Sequence, residues 1–524
     1  MSSKTILLLI AIICNTCESA RILAVMPTPS FSHQVVFQPL WKSLLSRGHE
    51  ITLLTTDPIK NSNYSNLRQV DWSFAYHLWQ NKHNISKMII NFRHNKIKCF
   101  NQFVDMMHEI TSLELEHEDV QKLINDKNER FDLAIIEFLH PVMLAFSERF
   151  SCPYIGVSSM DLTTLGHEAM GNPSNSAVYT DFLVPYDSNM CFVERLLNTL
   201  SYLLVSLYFN FYMYPKSDNV VKKYFGGNLP KLQEIQKKAS MAFVNTHPAL
   251  HDVRPLMPNV IQLGGAIHLH NLTALPMVLI LDLEKFLNES QNAVIYFSLG
   301  SNVRVRDLPG ETLNVLLETF VQSPFRVVWK VEATDVIKNA SNIYTGRWLP
   351  QQEILAHKSV KAFVTQGGQQ SIEEAVYYGV PMIGLPFYVD QFANIRRLSK
   401  RGACIGLDVQ NIRKKDFEKA IYEIITNQSY LNAVQELSTL MKEEPISSLE
   451  KAIWWTEYVI RHNGAKLLKS NVPNMPFYQY FLLDVAVTLL LVFAIILFIQ
   501  YKIVKSIIKR IRSKMRDDKF YKIE

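Results

Sequence analysis

The sequence predicts an α/β protein of two domains, each on a parallel sheet, followed by one membrane-spanning helix. Three observations carry this. A strand, turn, helix and strand follow one another in residues 21–55, and the same order recurs in residues 361–386. Between them, Asn245 to Ile267 holds five prolines or glycines and reads as a linker, with the boundary near residue 255. Phe481 to Gln500 is then a 20-residue apolar stretch broken only by Asp484, long enough to span a bilayer. A chain of 524 residues with 48% apolar content is ample for two cores.

In chain order, Lys4 followed by apolar Thr5 to Cys14, and small residues at Cys17 and Ser19, read as a secretory signal cleaved after Ser19. Arg21 to Met26 is a strand, Pro27 to His33 a loop, Gln34 to Arg47 an amphipathic helix ended by Gly48, and Ile51 to Thr55 the next strand. His33 therefore sits just beyond a strand's carboxyl end. Phe131 to Glu137 is another strand, with Glu137 at its end and Asp132 at its start, on the opposite edge of the sheet. Leu196 to Pro215 is uncharged for 20 residues. It reads as a helix packed or half-immersed at a membrane surface, because an extra crossing would separate His33 from the second α/β unit.

Ala293 to Ser298 opens the second domain as a strand ending in the Gly300-Ser301 turn. Lys361 to Thr365 is too short for a helix and stops at Gln366-Gly367-Gly368, before a helix from Ser371 to Tyr378. Glycines there let a backbone approach a ligand, and the unpaired N–H groups of a new helix favour a phosphate. A plainer reading makes Ser371-Ile-Glu-Glu374 a capping box and the glycines a tight turn. Pro381 to Pro386 supplies the next strand, so the loops after Thr365 and Pro386 share one sheet edge, where open α/β sheets bind ligands.

The formal charge of +6 is no nucleic-acid signal. Residues 501–524 hold nine Lys or Arg and three acids, leaving 45 basic and 45 acidic residues before them. Positive charge beside the last apolar span instead orients that span with the tail in the cytosol. Cys99, Cys152, Cys191 and Cys404 lack CxxC spacing or a His cluster, so they read as buried or paired, not as zinc ligands, and no metal is expected. Sequons stand at Asn63, Asn84, Asn271, Asn288, Asn339 and Asn427.

Residues 348–391, WLPQQEILAHKSVKAFVTQGGQQSIEEAVYYGVPMIGLPFYVDQ, place a Trp, several amides, a glycine pair, Glu374 and a final Asp-Gln in one ordered run. That run resembles the donor signature of the membrane-anchored UDP-glycosyltransferases, insect type. The resemblance implies a GT-B fold, two Rossmann-like domains facing a cleft. It implies that Trp348 stacks on uracil, that Gln351 and Glu374 hold uridine and ribose, that Gln366, Gly367, Gly368, Gln370 and Ser371 cradle the diphosphate, and that Asp390 and Gln391 bind the sugar hydroxyls. Ser301, whose hydroxyl and nearby N–H groups follow a strand end, reads as a second phosphate or sugar contact, the plainer alternative being a turn serine. PSFSHQ before RGHEIT matches the place of the family's base, so His33 would be the base and Glu137 its orienting carboxylate. Two residues depart from the commoner pattern: Gln366 stands for His and Glu137 for Asp. A neutral amide still donates a hydrogen bond but cannot become cationic.

By the same resemblance, His247-Pro248 and Gly264-Gly265-Ala266 are landmarks of the linker, and a helix within Ser447 to Leu468 crosses back to the first domain. The expected layout is a signal at 1–19, an acceptor domain at 20–254, a donor domain at 255–440, crossing helices at 441–480, a span at 481–500 and a cytosolic tail at 501–524. The expected activity is inverting transfer of a hexose, glucose by the insect resemblance with glucuronic acid behind it, from a UDP-sugar to a small lipophilic acceptor whose pocket is shaped by loops such as Gly166 to Thr180. UDP-sugar is a co-substrate, so no cofactor is expected. Membrane lipid is the other expected partner, the class leaves room for a homo-oligomer, and the body would lie in the lumen of the endoplasmic reticulum as a single-pass type I protein. Two other classes fit less well. A carrier that kept the fold and lost turnover has only Gln366 and Glu137 in its favour, and a nicotinamide oxidoreductase needs a GxGxxG after the first strand, which is missing.

Overall fold

The computed structural model describes residues 19–60, 62–181, 183–264, 267–269, 281–290, 292–332 and 340–520. The expected signal segment, Gly265-Ala266 and the sequons at Asn271 and Asn339 lie outside the described residues. The chain forms two compact units, one ending at Lys469 and one beginning at Ser470.

The first unit holds two sheets. One comprises β1 (Arg21–Met26), β2 (Glu50–Thr55), β3 (Leu67–Asp71), β4 (Leu133–Glu137), β5 (Tyr154–Ser158), β6 (Met241–Val244) and β7 (Val260–Gln262), in the order β3-β2-β1-β4-β5-β6-β7. The other comprises β8 (Val294–Ser298), β9 (Arg326–Lys330), β10 (Ile343–Gly346), β11 (Val360–Thr365), β12 (Met382–Gly384) and β13 (Cys404–Gly406), in the order β10-β9-β8-β11-β12-β13. Every pairing among the described residues is parallel. Parallel strands are covered on both faces, which is why Ile22 to Met26 and Val294 to Phe297 are unbroken apolar runs, all buried.

Among the helices are α1 (Phe31–Val35), α2 (Gln38–Ser46), α3 (Phe192–Tyr208), α4 (Tyr214–Phe225), α5 (Gln369–Tyr377), α6 (Asp390–Lys400), α7 (Ser448–Arg461) and α8 (Leu483–Phe520). The helix expected over Gln34 to Arg47 is two pieces. Pro39 occupies the first turn of α2, where its missing N–H costs nothing, and the break leaves His33 on the separate short α1. Helix α5 begins at Gln369 with Gly368 as its cap residue. Ser371 is thus already inside the helix, so the capping-box reading fails.

The first sheet extends past the boundary placed at residue 255. Pro255 and Pro258 punctuate the chain, but Val260 to Gln262 still pairs with β6 as an edge strand, so the chain leaves this sheet only after Gln262. Later α7 returns to the first sheet: Ala452, Ile453 and Val459 share a buried cluster with Trp41, Leu44 and Ile22. Arg47 donates to Glu450 at 2.8 Å and to Glu457 at 3.2 Å across this contact.

In the second unit, α8 starts two residues inside the expected span and continues through the basic residues to Phe520. Its Leu483–Met515 portion is long and apolar enough to cross a membrane. The chain therefore carries one C-terminal helix that is consistent with a membrane anchor.

Candidate active site

Sheet topology decides where the site can lie. In the first sheet β1 sits between β2 and β4, and in the second β8 sits between β9 and β11, so each sheet reverses strand order at those strands. Loops leaving the carboxyl ends of such strands diverge and open a crevice. The four loops concerned carry His33, Glu137, Gly300-Ser301 and Gln366 to Gly368.

The register of β1 against β4 pairs Val25 with Ile136, so the residues just after Met26 face Glu137. His33 Nδ1 lies 2.7 Å from Glu137 Oε1. Thr28 donates its backbone N–H (3.2 Å) and its hydroxyl (2.6 Å) to the other oxygen, Oε2. The single hydroxyl proton of Thr28 is thereby spent, so His140 Nε2, 2.8 Å away, must donate to Thr28 Oγ1. Burial pushes the Glu137 carboxyl up, but the hydrogen bond of His33 and, after it, that of Thr28 outweigh it and hold it below the usual value. An ionised Glu137 accepts from Nδ1, which leaves the other ring nitrogen of His33, Nε2, as the basic one. His140 is held neutral, its pKa lowered to about 4 by burial. Asp132 lies at the other end of β4, where it accepts from Arg21 N at 2.7 Å.

In the second sheet, Gly300 turns at φ 72° and Gly367 at φ 82°. A Cβ on Gly367 would also come within 2.6 Å of Ile395, so this turn admits no side chain. The Gln366 amide is buried against Gly300, and its oxygen has no partner among the described residues. Gln351 Nε2 donates to Glu374 Oε2 at 2.7 Å and to Ser371 Oγ at 3.3 Å, which gathers three of the expected donor residues. Trp348 is 57% exposed. The ring of Phe31 meets it edge-on at 4.9 Å, and the Lys330 ammonium lies 5.2 Å from its centre while donating to Gly300 O.

Asp390 and Gln391 open α6 just after Val389, whose φ of 44° is strained for a β-branched residue. Burial pushes the Asp390 carboxyl up to about 6 against the hydrogen bond from Asn394. Gln391 Oε1 accepts from the N–H groups of Phe387 and Tyr388, so only its NH₂ remains to meet a ligand.

A cavity of about 310 Å³ joins the two halves. His33, Gln366, Gly368, Gln370, Asp390 and Gln391 line it, whereas Ser301, Trp348, Gln351, Ser371 and Glu374 do not. Apolar residues such as Phe103, Met107, Phe138 and Phe209 form most of the remaining wall, together with Val178 to Thr180 from the expected acceptor loop. Gln370 donates to Ser159 O at 2.7 Å across the halves.

The sequence reading missed Thr28, His140 and Asn302. Asn302 donates to Ser30 Oγ at 3.0 Å and accepts from the Trp79 indole at 3.2 Å, tying the Ser301 turn to the loop before His33. Thr28 and Asn302 carry no signal in their spacing, while His140, three residues after Glu137, was visible as a second histidine near a strand end.

The sequence profile of the family "UDP-glucoronosyl and UDP-glucosyl transferase" matches residues 21–517. UDP-glucosyltransferase 2 of Dactylopius coccus is 34% identical over 520 residues, 99% of each chain. Human UDP-glucuronosyltransferase 2B15 is 28% identical, covering 94% of this chain and 95% of its own. Among solved structures, UDP-glucose: anthocyanidin 3-O-glucosyltransferase in complex with UDP superposes with a TM-score of 0.57 at 16% identity, over 85% of this chain and 99% of that one. With two parallel sheets meeting at a shared crevice, these matches place the chain in the UDP-glucoronosyl and UDP-glucosyl transferase family, as a glycosyltransferase of the GT-B fold.

Proposed function

We propose that the protein transfers a hexose, glucose in the first instance, from a UDP-sugar to a hydroxyl of a small lipophilic acceptor, with inversion at the anomeric carbon. The observation that carries this reading is the 2.7 Å contact of His33 with Glu137 at the wall of a largely apolar cavity that Asp390 and Gln366 also line. His33 Nε2 takes the proton as the acceptor oxygen attacks the anomeric carbon. UDP departs from the opposite face, and its growing charge meets the amino end of α5 with Gln366 and Ser301 as donors. Trp348 receives the uracil, Gln351 and Glu374 the uridine and ribose, Gly367, Gly368, Gln370 and Ser371 the diphosphate, and Asp390 with Gln391 the sugar hydroxyls. The body lies on the lumenal side of the endoplasmic reticulum, held by α8. This chemistry requires no metal.

Purified protein given UDP-α-glucose and a phenolic acceptor should release UDP and form a glucoside. A large anomeric proton coupling in the product marks the β configuration. An α-glucoside would overturn the single-displacement reading, and hydrolysis of donor without transfer would overturn the acceptor role of the cavity.

Two predictions arise from the donor residues. Asp390 as an acceptor of sugar hydroxyls must be ionised, and its pKa is raised to about 6. kcat/KM for the UDP-sugar should therefore fall as pH drops through about 6. Asp390→Asn should lower kcat/KM at neutral pH and remove that limb of the profile; a limb that persists in the variant belongs to another group. Gln366→Ala should weaken UDP binding by about 0.5 to 3 kcal/mol, the range of ordinary to charge-assisted hydrogen bonds, while Gln366→His should preserve or improve it. Calorimetric titration of UDP decides this, and unchanged affinity in the alanine variant removes Gln366 from the donor site.

A further inference from the structure

The Lys96–Glu116 helix turns Phe100, Phe103, Val104 and Met107 to the cavity, an apolar wall for an apolar ligand. Two polar pairs interrupt it. One is His108 with Ser217 of α4, and the other is Tyr214 of α4 with Gln236 of the Leu232–Lys237 helix. All four residues line the cavity while at least nine-tenths buried, and the proposed transfer reaction uses none of them. A polar group buried in such a wall is costly unless it is bonded, so whatever bonding capacity these pairs leave open is offered to a ligand.

The hydrogen bonds fix what remains open. His108 Nδ1 lies 2.8 Å from Val104 O, which can only accept, so the ring proton is on Nδ1. Burial lowers the pKa of His108, so the ring is neutral and Nε2 carries a lone pair. Ser217 Oγ, 2.9 Å away, therefore donates to Nε2. Its one proton is spent, and Ser217 meets the cavity as an acceptor only. Tyr214 donates its hydroxyl to Gln236 Oε1, while the Gln236 NH₂ has no partner among the described residues and remains a donor. Tyr214 and Ser217 are three residues apart on α4 and share one face, which sets the amide donor beside the hydroxyl acceptor. A ligand hydroxyl matches that pair because it both donates and accepts, whereas an ether or ketone only accepts and an ammonium only donates.

We infer that Ser217 and Gln236 form a subsite for a second hydroxyl, so that the preferred acceptors are apolar molecules with two hydroxyls, one at His33 and the other here. His108 and Tyr214 are positioning residues: each occupies one side of its partner and so decides whether that partner donates or accepts. A ligand without the second hydroxyl leaves buried polar atoms unpaired, which is how such a site discriminates. That the bound molecule is the acceptor rests on the transfer reaction proposed above; recognition of the hydroxyl does not.

The test titrates rigid phenols calorimetrically into the full chain in detergent with UDP present. Hydroquinone and the para,para′-diols of biphenyl and stilbene, three diols of increasing span, are each compared with the counterpart that has a single hydroxyl. For the diol whose span fits, affinity should exceed that of its counterpart by roughly ten- to a hundredfold, the worth of two hydrogen bonds and more than the factor of two that equivalent hydroxyls supply. Two double variants, His108→Leu with Ser217→Ala and Tyr214→Phe with Gln236→Met, each remove both partners of one hydrogen bond, so neither orphans a buried group. Thermal melts and UDP affinity check that they fold. Each should shrink the preference by roughly two- to tenfold. Equal affinities of diol and counterpart at every span overturn the proposal, as does a preference that survives in both double variants or the failure of all three diols to bind. A diol that binds with the expected preference but is never glycosylated leaves the hydroxyl subsite standing and counts against the acceptor reading alone.

Discussion

His33→Ala is expected to lower kcat by about two to four orders of magnitude while UDP affinity stays near that of the native protein, because a positioned general base contributes about that much. His33 is on the short α1 at the cavity wall, outside the strands, and truncating it removes no core side chain. The buried Glu137 carboxylate loses its His33 partner but keeps both donors of Thr28, so a thermal melt should fall modestly without loss of the folded state. Turnover measured at saturating UDP-sugar and acceptor isolates the chemical step. Unaltered kcat would remove His33 from the mechanism.

Glu137→Gln should cost a comparable two to four orders of magnitude, although it deletes no atom of the ring and barely changes side-chain volume. The reason lies in Thr28. Its backbone N–H is a fixed donor aimed at Glu137 Oε2, so the glutamine must turn its carbonyl oxygen toward Thr28 and its NH₂ toward His33. The imidazole then accepts at Nδ1 and carries its proton on Nε2, where the base should be empty. Nitrogen-15 shifts of His33 would read the tautomer directly. Because the two residues act as a unit, the double variant with His33→Ala should be no slower than His33→Ala alone. Additive losses would show that Glu137 acts independently of His33.

Both predictions depend on features that differ in how far the sequence revealed them. Glu137 was legible as a strand-end acid because strand polarity separates it from Asp132, and the structure puts the two at opposite ends of β4. Its contact with His33 was not legible, since 104 residues separate them and only the adjacency of β1 and β4 brings them together. Glu137 carries one methylene more than the Asp of the commoner pattern, and its carboxylate meets His33 at 2.7 Å. At Gln391 local reading fell short: the residue is in the donor loop, but its oxygen is used by the backbone of Phe387 and Tyr388. The edge strand β7 was missed because three residues after two prolines give too short a pattern to read as a strand.

What the sequence determined alone is what depends on neighbours along the chain. Apolar runs of five or six residues ended by Gly or Pro set the strands, a glycine pair set the turn before α5, and an apolar stretch of bilayer length set α8. These signals are local because backbone conformation and hydrophobic period act over a few residues. Tertiary structure decided what depends on which strands become neighbours. It joined Thr28 and His140 to Glu137, Asn302 to the His33 loop, and Gln351 to Glu374, and it turned the leucines of α3 outward by burying Asn198. The hydrogen-bonding capacity of a buried polar group is satisfied by whatever the fold brings beside it, so its partner is written in the topology of the sheets and not in its own stretch of chain.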